Sequence, residues 1–161
     1  FTVFAPNNDA FGILMSELRV DVDDLINIPL PILRDILFYH ILNKFMISTD
    51  FSSAWYETMK SDAQKIYVDV DNYNGYTNGF DLKGIEVVDV QSDDRDVLIG
   101  NVRAENGVVF VVDRPMLPLF DSIYQVATLF DDYSILVELA QHANIVDDIT
   151  GPGPFTVFAP N

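Results

Sequence analysis

The sequence has no cysteine, only two histidines (His40 and His142), and neither a G-x-S-x-G nor an H-E-x-x-H motif. Without cysteine the protein can form no disulfide, thiolate nucleophile or cysteine-based metal site, and its redox compartment stays open. Without those motifs the sequence offers almost no material for hydrolytic or zinc catalysis. We therefore expect a protein that is not an enzyme and that uses no cofactor.

Positive charge is also scarce. The sequence has nine Lys and Arg residues and 25 Asp and Glu residues, which gives a formal net charge of −16, and no Lys or Arg follows Arg114. Such a surface repels phosphate backbones and anionic lipid, so nucleic-acid binding is disfavoured. No apolar run approaches the ~20 residues of a membrane-spanning helix, so we expect no direct membrane insertion. The acidity suits plain solubility, a basic partner or a divalent cation, and the sequence leaves these alternatives open.

What the sequence does contain is a repeated heptapeptide. FTVFAPN occupies residues 1–7 and recurs at residues 155–161. The two copies lie one domain length apart, which is far longer than the unit of a solenoid. We interpret the chain as one full period of a domain-sized repeat plus the beginning of another.

Apolar residues at helical spacing predict two helices in the first third of the chain. FTVFA (1–5) alternates as a strand does, and either Asn7 or Asn8 is placed to cap a helix over residues 9–18. After two prolines, a second apolar stripe predicts a helix over residues 32–42.

From about residue 45 to residue 113 the apolar period is close to two, which predicts strands. Asn106-Gly107 is a strong hairpin signal, because both residues tolerate the positive φ angles of a two-residue turn. The strand candidates are residues 66–70, 80–84, 85–90, 97–102 and 108–113.

Residues 122–143 return to helical spacing in two segments, which Ser122 and either Asp131 or Asp132 would cap. GPGP (151–154) then breaks the chain, and FTVFA predicts a strand once more. Helices grouped together, then strands, then helices again indicate an α+β fold rather than alternating βαβ units.

Three motifs carry a resemblance to a known family: FTVFAPNNDAF (1–11), LFYHIL (37–42) and NGVVFVVDRPMLP (106–118). In this order they resemble the first signature, the central Tyr-His motif and the second signature of a fasciclin domain, the repeated module of cell-adhesion and matrix proteins. Segment 122–161 also resembles the front of such a domain. The resemblance implies a fasciclin-like β-sandwich or wedge with flanking helices.

The same resemblance implies a division of the chain. Residues 1–118 correspond to a fasciclin-like domain that lacks its N-terminal helices, and residues 122–161 supply those helices and a first signature strand. Segment 122–161 either completes the same fold by permutation or starts the next repeat. We favour completion within one chain, since it would bury apolar side chains such as Ile135, Leu136 and Leu139.

Fasciclin membership implies non-enzymatic adhesion or protein–protein interaction at the cell surface or outside the cell, with a homophilic or other protein partner. The alternative is a soluble accessory subunit bound stably in a larger assembly, such as an algal membrane complex, in the periplasm or the thylakoid lumen. Further fasciclin repeats or a membrane anchor would favour adhesion, whereas a targeting peptide alone would favour the subunit.

Tyr39 and His40 form the central motif, which the family links to folding and, in some members, to receptor binding. Adjacent helical residues point about 100° apart, so the two side chains cannot easily face one ligand. We expect Tyr39 to pack in the core and His40 to hydrogen-bond to backbone or to an acid.

A polar stretch, DNYNGYTNGF (71–80), predicts an exposed loop whose residues suit polar recognition. Its candidate contact residues are Tyr73, Asn74, Tyr76 and Asn78. Three acidic stretches (69–75, 21–24 and 92–96) make weak Ca²⁺ binding conceivable, but 69–75 departs from the EF-hand pattern. We therefore expect no dedicated metal site.

Overall fold

The computed structural model describes residues 1–18, 21–60, 62–70, 84–90 and 94–160. The chain divides into two compact units. We call Phe1–Arg19 together with Leu30–Leu119 the sheet unit, and Val20–Pro29 together with Phe120–Asn161 the helical unit. Apart from Gly84, the strand predicted over residues 80–84 lies outside the described residues.

Helices and strands are grouped in separate stretches of the chain rather than alternating one by one, so the α+β prediction is confirmed. The strands are β1 (Thr2–Pro6), β2 (Ile41–Leu42), β3 (Ala54–Glu57), β4 (Lys65–Asp69), β5 (Glu86–Val88), β6 (Asp94–Ala104) and β7 (Gly107–Val112). The helices are α1 (Asn8–Leu18), α2 (Val22–Ile26), α3 (Leu30–Tyr39), α4 (Ile123–Ala127), α5 (Ser134–His142) and α6 (Val146–Thr150), with short 3-10 turns at Ser48–Asp50 and Asp131–Tyr133.

The described strands form one sheet in the order β2-β1-β7-β6-β5-β4-β3. Strand β1 is parallel to β7 and antiparallel to β2, and the other neighbours are antiparallel. The start of β6 pairs with β5 and the rest pairs with β7, with register shifts between Val97 and Val102. Asn101 lies in this interval at φ 56°, a conformation that Asn tolerates better than most residues. Bulges of this kind bend a strand, and β6 connects the two halves of the sheet, β2-β1-β7 and β5-β4-β3.

The two halves of the sheet enclose a single hydrophobic core in the sheet unit. Phe4 of β1 and Phe110 of β7 are fully buried, with ring centroids 5.6 Å apart, and Phe51 packs against both. Every second residue of β7 points inward, as the period-two pattern predicts. Strand β1 is thus held between two partners and over a core of aromatic rings.

The hairpin between β6 and β7 is present, but its predicted turn was wrong by one residue. Ala104 pairs with Gly107, which makes Glu105 and Asn106 the central turn residues. The positive φ angles found among the described residues include neither Asn106 nor Gly107. Glycine is needed at position 107 for another reason: a Cβ atom there would lie 2.5 Å from the carbonyl oxygen of Phe1.

The predicted helix over 32–42 was wrong at its end, because α3 stops at Tyr39. Ile41 and Leu42 instead form β2, which pairs with Val3 and Thr2 of β1. Leu42 is buried in the core. Pairing with a neighbouring strand and burial under the sheet outweigh the helical spacing of these residues.

The helix caps were predicted correctly at two of three places. The Asn7 side chain accepts a hydrogen bond from the Ala10 N–H at 2.8 Å, and Ser122 accepts one from the Gln125 N–H at 3.1 Å. An aspartate cap for α5 was wrong: its N-cap residue is Tyr133, without a side-chain cap. A 3-10 turn leads directly into this helix and replaces the expected cap.

In the helical unit, the expected second strand was wrong, because residues 153–160 form neither helix nor strand. Within this unit Ile135 is 72% and Leu139 is 59% exposed, and the expectation that segment 122–161 completes the fold of residues 1–118 stays a prediction. A strand needs a neighbour to pair with, and the second heptapeptide has none among the described residues. None of the helices in the described ranges has the length and apolar character that a membrane crossing requires.

Candidate functional site: a buried polar cluster around Tyr39 and His40

His40 follows the last residue of α3 and is only 5% exposed. The Met116 N–H donates to His40 Nε2 at 2.9 Å, so that nitrogen carries no proton. The ring must then donate through Nδ1, and it does so to the Ile36 carbonyl at 2.7 Å. His40 is therefore a neutral imidazole with both nitrogens engaged by backbone groups.

Burial lowers the pKa of His40 below its ordinary value. The Arg95 guanidinium acts in the same direction, while the Ile36 carbonyl and the Asp89 carboxylate oppose the shift. A proton added at Nε2 would also displace the Met116 N–H. The folded structure therefore favours the neutral form of the His40 imidazole.

Tyr39, the neighbouring residue, is fully buried and carries out a separate task. Its hydroxyl donates to the Lys65 carbonyl and accepts from the Val90 N–H, both at 3.1 Å. Burial raises the pKa of Tyr39 to about 12, so the phenol remains protonated. The expectation that Tyr39 packs in the core while His40 bonds to backbone is confirmed.

A buried ion pair lies beside the two motif residues. Asp89 follows β5 and Arg95 lies in β6, and their side chains meet at 3.1 Å with both residues at most 4% exposed. Arg95 Nε also donates to the Pro115 carbonyl at 3.0 Å, and Asp89 Oδ2 accepts from the Leu117 N–H at 3.2 Å. Buried charges require such pairing and hydrogen bonding.

Three of these side chains, those of His40, Asp89 and Arg95, bind residues 115–119, which we call the docked segment. The segment forms no strand, and side chains of other elements provide the hydrogen bonds to its backbone. Arg95 donates to the Pro115 carbonyl, His40 accepts from the Met116 N–H, and Asp89 accepts from the Leu117 N–H. Gln64 then bonds to both the N–H (2.8 Å) and the carbonyl (2.9 Å) of Leu119. His40 of the Tyr-His motif and Met116 of the second signature, 76 residues apart, are therefore joined by a direct hydrogen bond.

Sequence reasoning identified the two motif residues but missed Asp89, Arg95 and Gln64. A signal was present for the first two, because alternation along β5 and β6 places Asp89 in phase with Val87, and Arg95 in phase with Val97. A charged residue at an inward-facing position of a strand predicts a buried partner. Gln64 lies outside any strand, and nothing in the local pattern marks it.

The arrangement holds backbone rather than presenting reactive groups. Each ring nitrogen of His40 and the hydroxyl of Tyr39 is engaged, and no buried side-chain nitrogen or oxygen in the described residues lacks a hydrogen-bond partner. In the part of the chain that the structure describes, no three acidic or histidine side chains are grouped as a metal site. The cluster is chemically suited to fix the docked segment in place.

The remaining candidate residues belong to the predicted polar loop and to the acidic stretches. Tyr73, Asn74, Tyr76 and Asn78 lie outside the described residues, as do most of the acidic stretch 69–75 and the first part of the acidic stretch 92–96. Their role in recognition stays a prediction.

Comparison with known proteins gives the family. The model of the fasciclin domain matches residues 1–118, so the chain belongs to the fasciclin domain family. Human periostin is 30% identical over 160 residues, which cover 99% of this chain and 17% of periostin. The transforming growth factor-beta-induced protein ig-h3 of Sus scrofa is 24% identical over 161 residues, which cover all of this chain and 21% of that protein.

A solved structure is similar as well: a FAS1 domain pair from the insect cell adhesion molecule fasciclin I. It has a TM-score of 0.49 and 15% identity, and the match covers 93% of this chain and 48% of that chain. The present chain spans about a fifth of the length of the curated relatives that it matches.

Proposed function

We propose that this chain is an adhesion or protein–protein interaction module of an extracellular or cell-surface protein, and that it acts without an enzymatic step or a cofactor. Fasciclin membership over residues 1–118 supports the proposal. The observation that carries it is the state of the buried cluster, whose His40, Tyr39, Asp89 and Arg95 side chains all bind the protein's own groups. A protein partner is then bound by the outer surface of the module, through complementary shape and charge.

Attachment of cells to the immobilised chain tests the proposal. We expect adherent fibroblasts to attach above the level of an albumin-coated surface, and soluble chain to compete. The double variant Tyr73→Ala/Tyr76→Ala tests the predicted contact loop, and Phe45→Ala, an exposed aromatic in the sheet unit, is the matched control. Attachment no greater than on albumin would contradict the proposed function. The accessory-subunit alternative stays a prediction that no observation on the described residues favours.

The role of residues 122–161 is a further part of this proposal: they form the front of a fasciclin unit. The second FTVFAPN supports this assignment. A chain ending at Phe120 separates the two arrangements that the sequence allows. If segment 122–161 completes the fold of residues 1–118, the shortened chain loses its cooperative thermal transition. If the segment begins a further repeat, the transition persists.

Weak calcium binding belongs here too, because it rests on the acidity of the chain alone. Binding to the native state must raise the melting temperature by linkage. Millimolar Ca²⁺ should therefore raise it more than Mg²⁺ does. An equal rise with both ions reflects charge screening and rules calcium out.

A further inference from the structure

The outer face of the sheet carries an exposed aromatic pair. Trp55 of β3 and Tyr67 of β4 are register partners, and their rings meet edge to face with centroids 5.4 Å apart. Trp55 is 58% exposed. Among the described strands β3 is the last of the sheet, so no further strand covers Trp55 from that side. A large aromatic surface is thus left open to solvent.

Carboxylates continue the same face across β4, β5 and β6. The register places Asp69 opposite Glu86, Glu86 opposite Asp96, and Asp94 two residues along the same strand from Asp96. Their strand neighbours Val68, Val87, Arg95 and Val97 point inward, so these four acids point outward. Burial together with the charges of Asp94, Asp96 and Asp69 raises the pKa of Glu86, as expected for close like charges.

Two cations in the described parts of this region are engaged with other groups. Lys65 lies on the outer face, but it pairs with Glu57 at 3.5 Å. Arg95 points inward and binds Asp89 and the docked segment. Like charges directly opposite one another destabilise a sheet. The face therefore combines carboxylates that repel one another with an exposed aromatic surface. A cationic partner reduces the repulsion and covers the aromatic rings.

We propose that this face, made by Trp55, Tyr67, Asp69, Glu86, Asp94 and Asp96, docks an arginine-rich extended segment of a partner protein. Arginine stacks on aromatic faces and bonds to carboxylates in a planar, bidentate way, so one residue type matches both parts of the face. A second copy of this chain is disfavoured, because two chains of net charge −16 repel each other. The proposal deepens the proposed interaction function by naming the chemistry of the partner.

Trp55 is the single tryptophan of the chain, so its fluorescence reports on this face alone. The probe is a dodecapeptide of alternating arginine and serine, compared with its lysine–serine and glutamate–serine counterparts. We expect a saturable change in Trp55 emission with the arginine peptide, weaker binding in high salt, and no binding of the glutamate peptide. Binding of the lysine peptide as tight as that of the arginine peptide would overturn the arginine assignment.

Two charge-matched triple variants decide whether the face or the net charge is responsible. Glu86→Gln/Asp94→Asn/Asp96→Asn should weaken binding of the arginine peptide by about tenfold. Glu138→Gln/Asp147→Asn/Asp148→Asn removes the same charge from the helical unit and should change binding by less than about twofold. Equal losses in the two variants, or unchanged Trp55 emission, would overturn the proposal. The titration needs no cells, so it can fail while cell attachment succeeds, and the reverse also holds.

Discussion

The two copies of FTVFAPN have identical sequences and opposite surroundings. In the sheet unit, Phe4 is fully buried and β1 pairs with β7 on one side and β2 on the other. In the helical unit, the equivalent Phe158 is 92% exposed and residues 153–160 form no strand. Intrinsic β-propensity is the same in both copies, so it cannot explain the difference. Strand formation here depends on neighbouring strands and on a core that accepts the aromatic ring.

The largest expected effect comes from removing the ring from each copy in turn. Phe4→Ala should lower the free energy of unfolding by about 3–5 kcal/mol, because it leaves a cavity against Phe110 and Phe51. Phe158→Ala should change it by less than about 0.5 kcal/mol, because the ring is already in water. Chemical denaturation of both variants measures the difference. Similar losses would show that the second copy also packs in a core.

A comparable loss is expected when the buried ion pair is broken. Asp89→Ala leaves the Arg95 guanidinium buried without its carboxylate, which costs about 3–5 kcal/mol. Asp148→Ala removes an exposed aspartate from the first turn of α6, where the helix dipole accounts for less than about 1 kcal/mol. Denaturant midpoints of the two variants provide the check. Equal stabilities would mean that the docked segment is held by other contacts.

A smaller effect is expected at the glycine that lets β1 approach β7. In Gly107→Ala the new Cβ meets the Phe1 carbonyl, which also accepts the Val108 N–H at 2.9 Å. We expect a loss of about 1–3 kcal/mol from this overpacking. Gly151→Ala in the helical unit is the control, because its nearest atom would be 3.5 Å away, an ordinary contact. A neutral Gly107→Ala variant would show that the start of β1 yields without cost.

The smallest effect is a pH dependence that comes from His40. Its folded pKa is lowered by burial, so below the unfolded value of about 6.5 the unfolded chain binds the proton more readily. Stability is therefore fully present above pH ~6.5 and is lost as the pH falls toward the folded pKa. Unfolding free energies measured between pH 5 and 8 should show this loss.

Two variants assign that pH dependence to one residue. His40→Leu should be less stable at every pH, since the Met116 N–H loses its acceptor, and should lack the histidine-linked change. His142→Gln, at the exposed end of α5, should retain the profile of the parent chain. A profile that disappears in His142→Gln instead would assign the dependence to the helical unit.

Several features followed from the sequence because they depend on local physics. Alternation with period two located β4, β5, β6 and β7, and the Asn7 and Ser122 side chains were placed to cap the helices that follow them. The helical spacing of residues 32–42 was a weaker guide. It predicted three residues too many, because Ile41 and Leu42 gain more from pairing with β1 than from another helical turn.

The candidate site was predicted in part. The motif resemblance selected Tyr39 and His40, and the second signature selected the segment that His40 binds. Gln64 was beyond prediction, since its bonds to Leu119 join residues 55 positions apart and no local pattern encodes them. The Asn106-Gly107 dipeptide correctly indicated the hairpin, but the reason was different from the one expected. Gly107 is needed because the Phe1 carbonyl lies too close for a Cβ atom, and not because of the turn.

The sequence by itself determined the elements whose causes lie within a few residues: the alternation of the strands, the helix caps and the acidity of the surface. Only the tertiary structure decided that the first FTVFAPN is a buried strand and that the second is not. It also decided that Asp89 and Arg95 are paired inside the protein and that Trp55 is left outside. These outcomes depend on which residues, distant in the sequence, come into contact in the fold. The energies of burial and of pairing in those contacts are larger than the local preference of a residue for strand or helix.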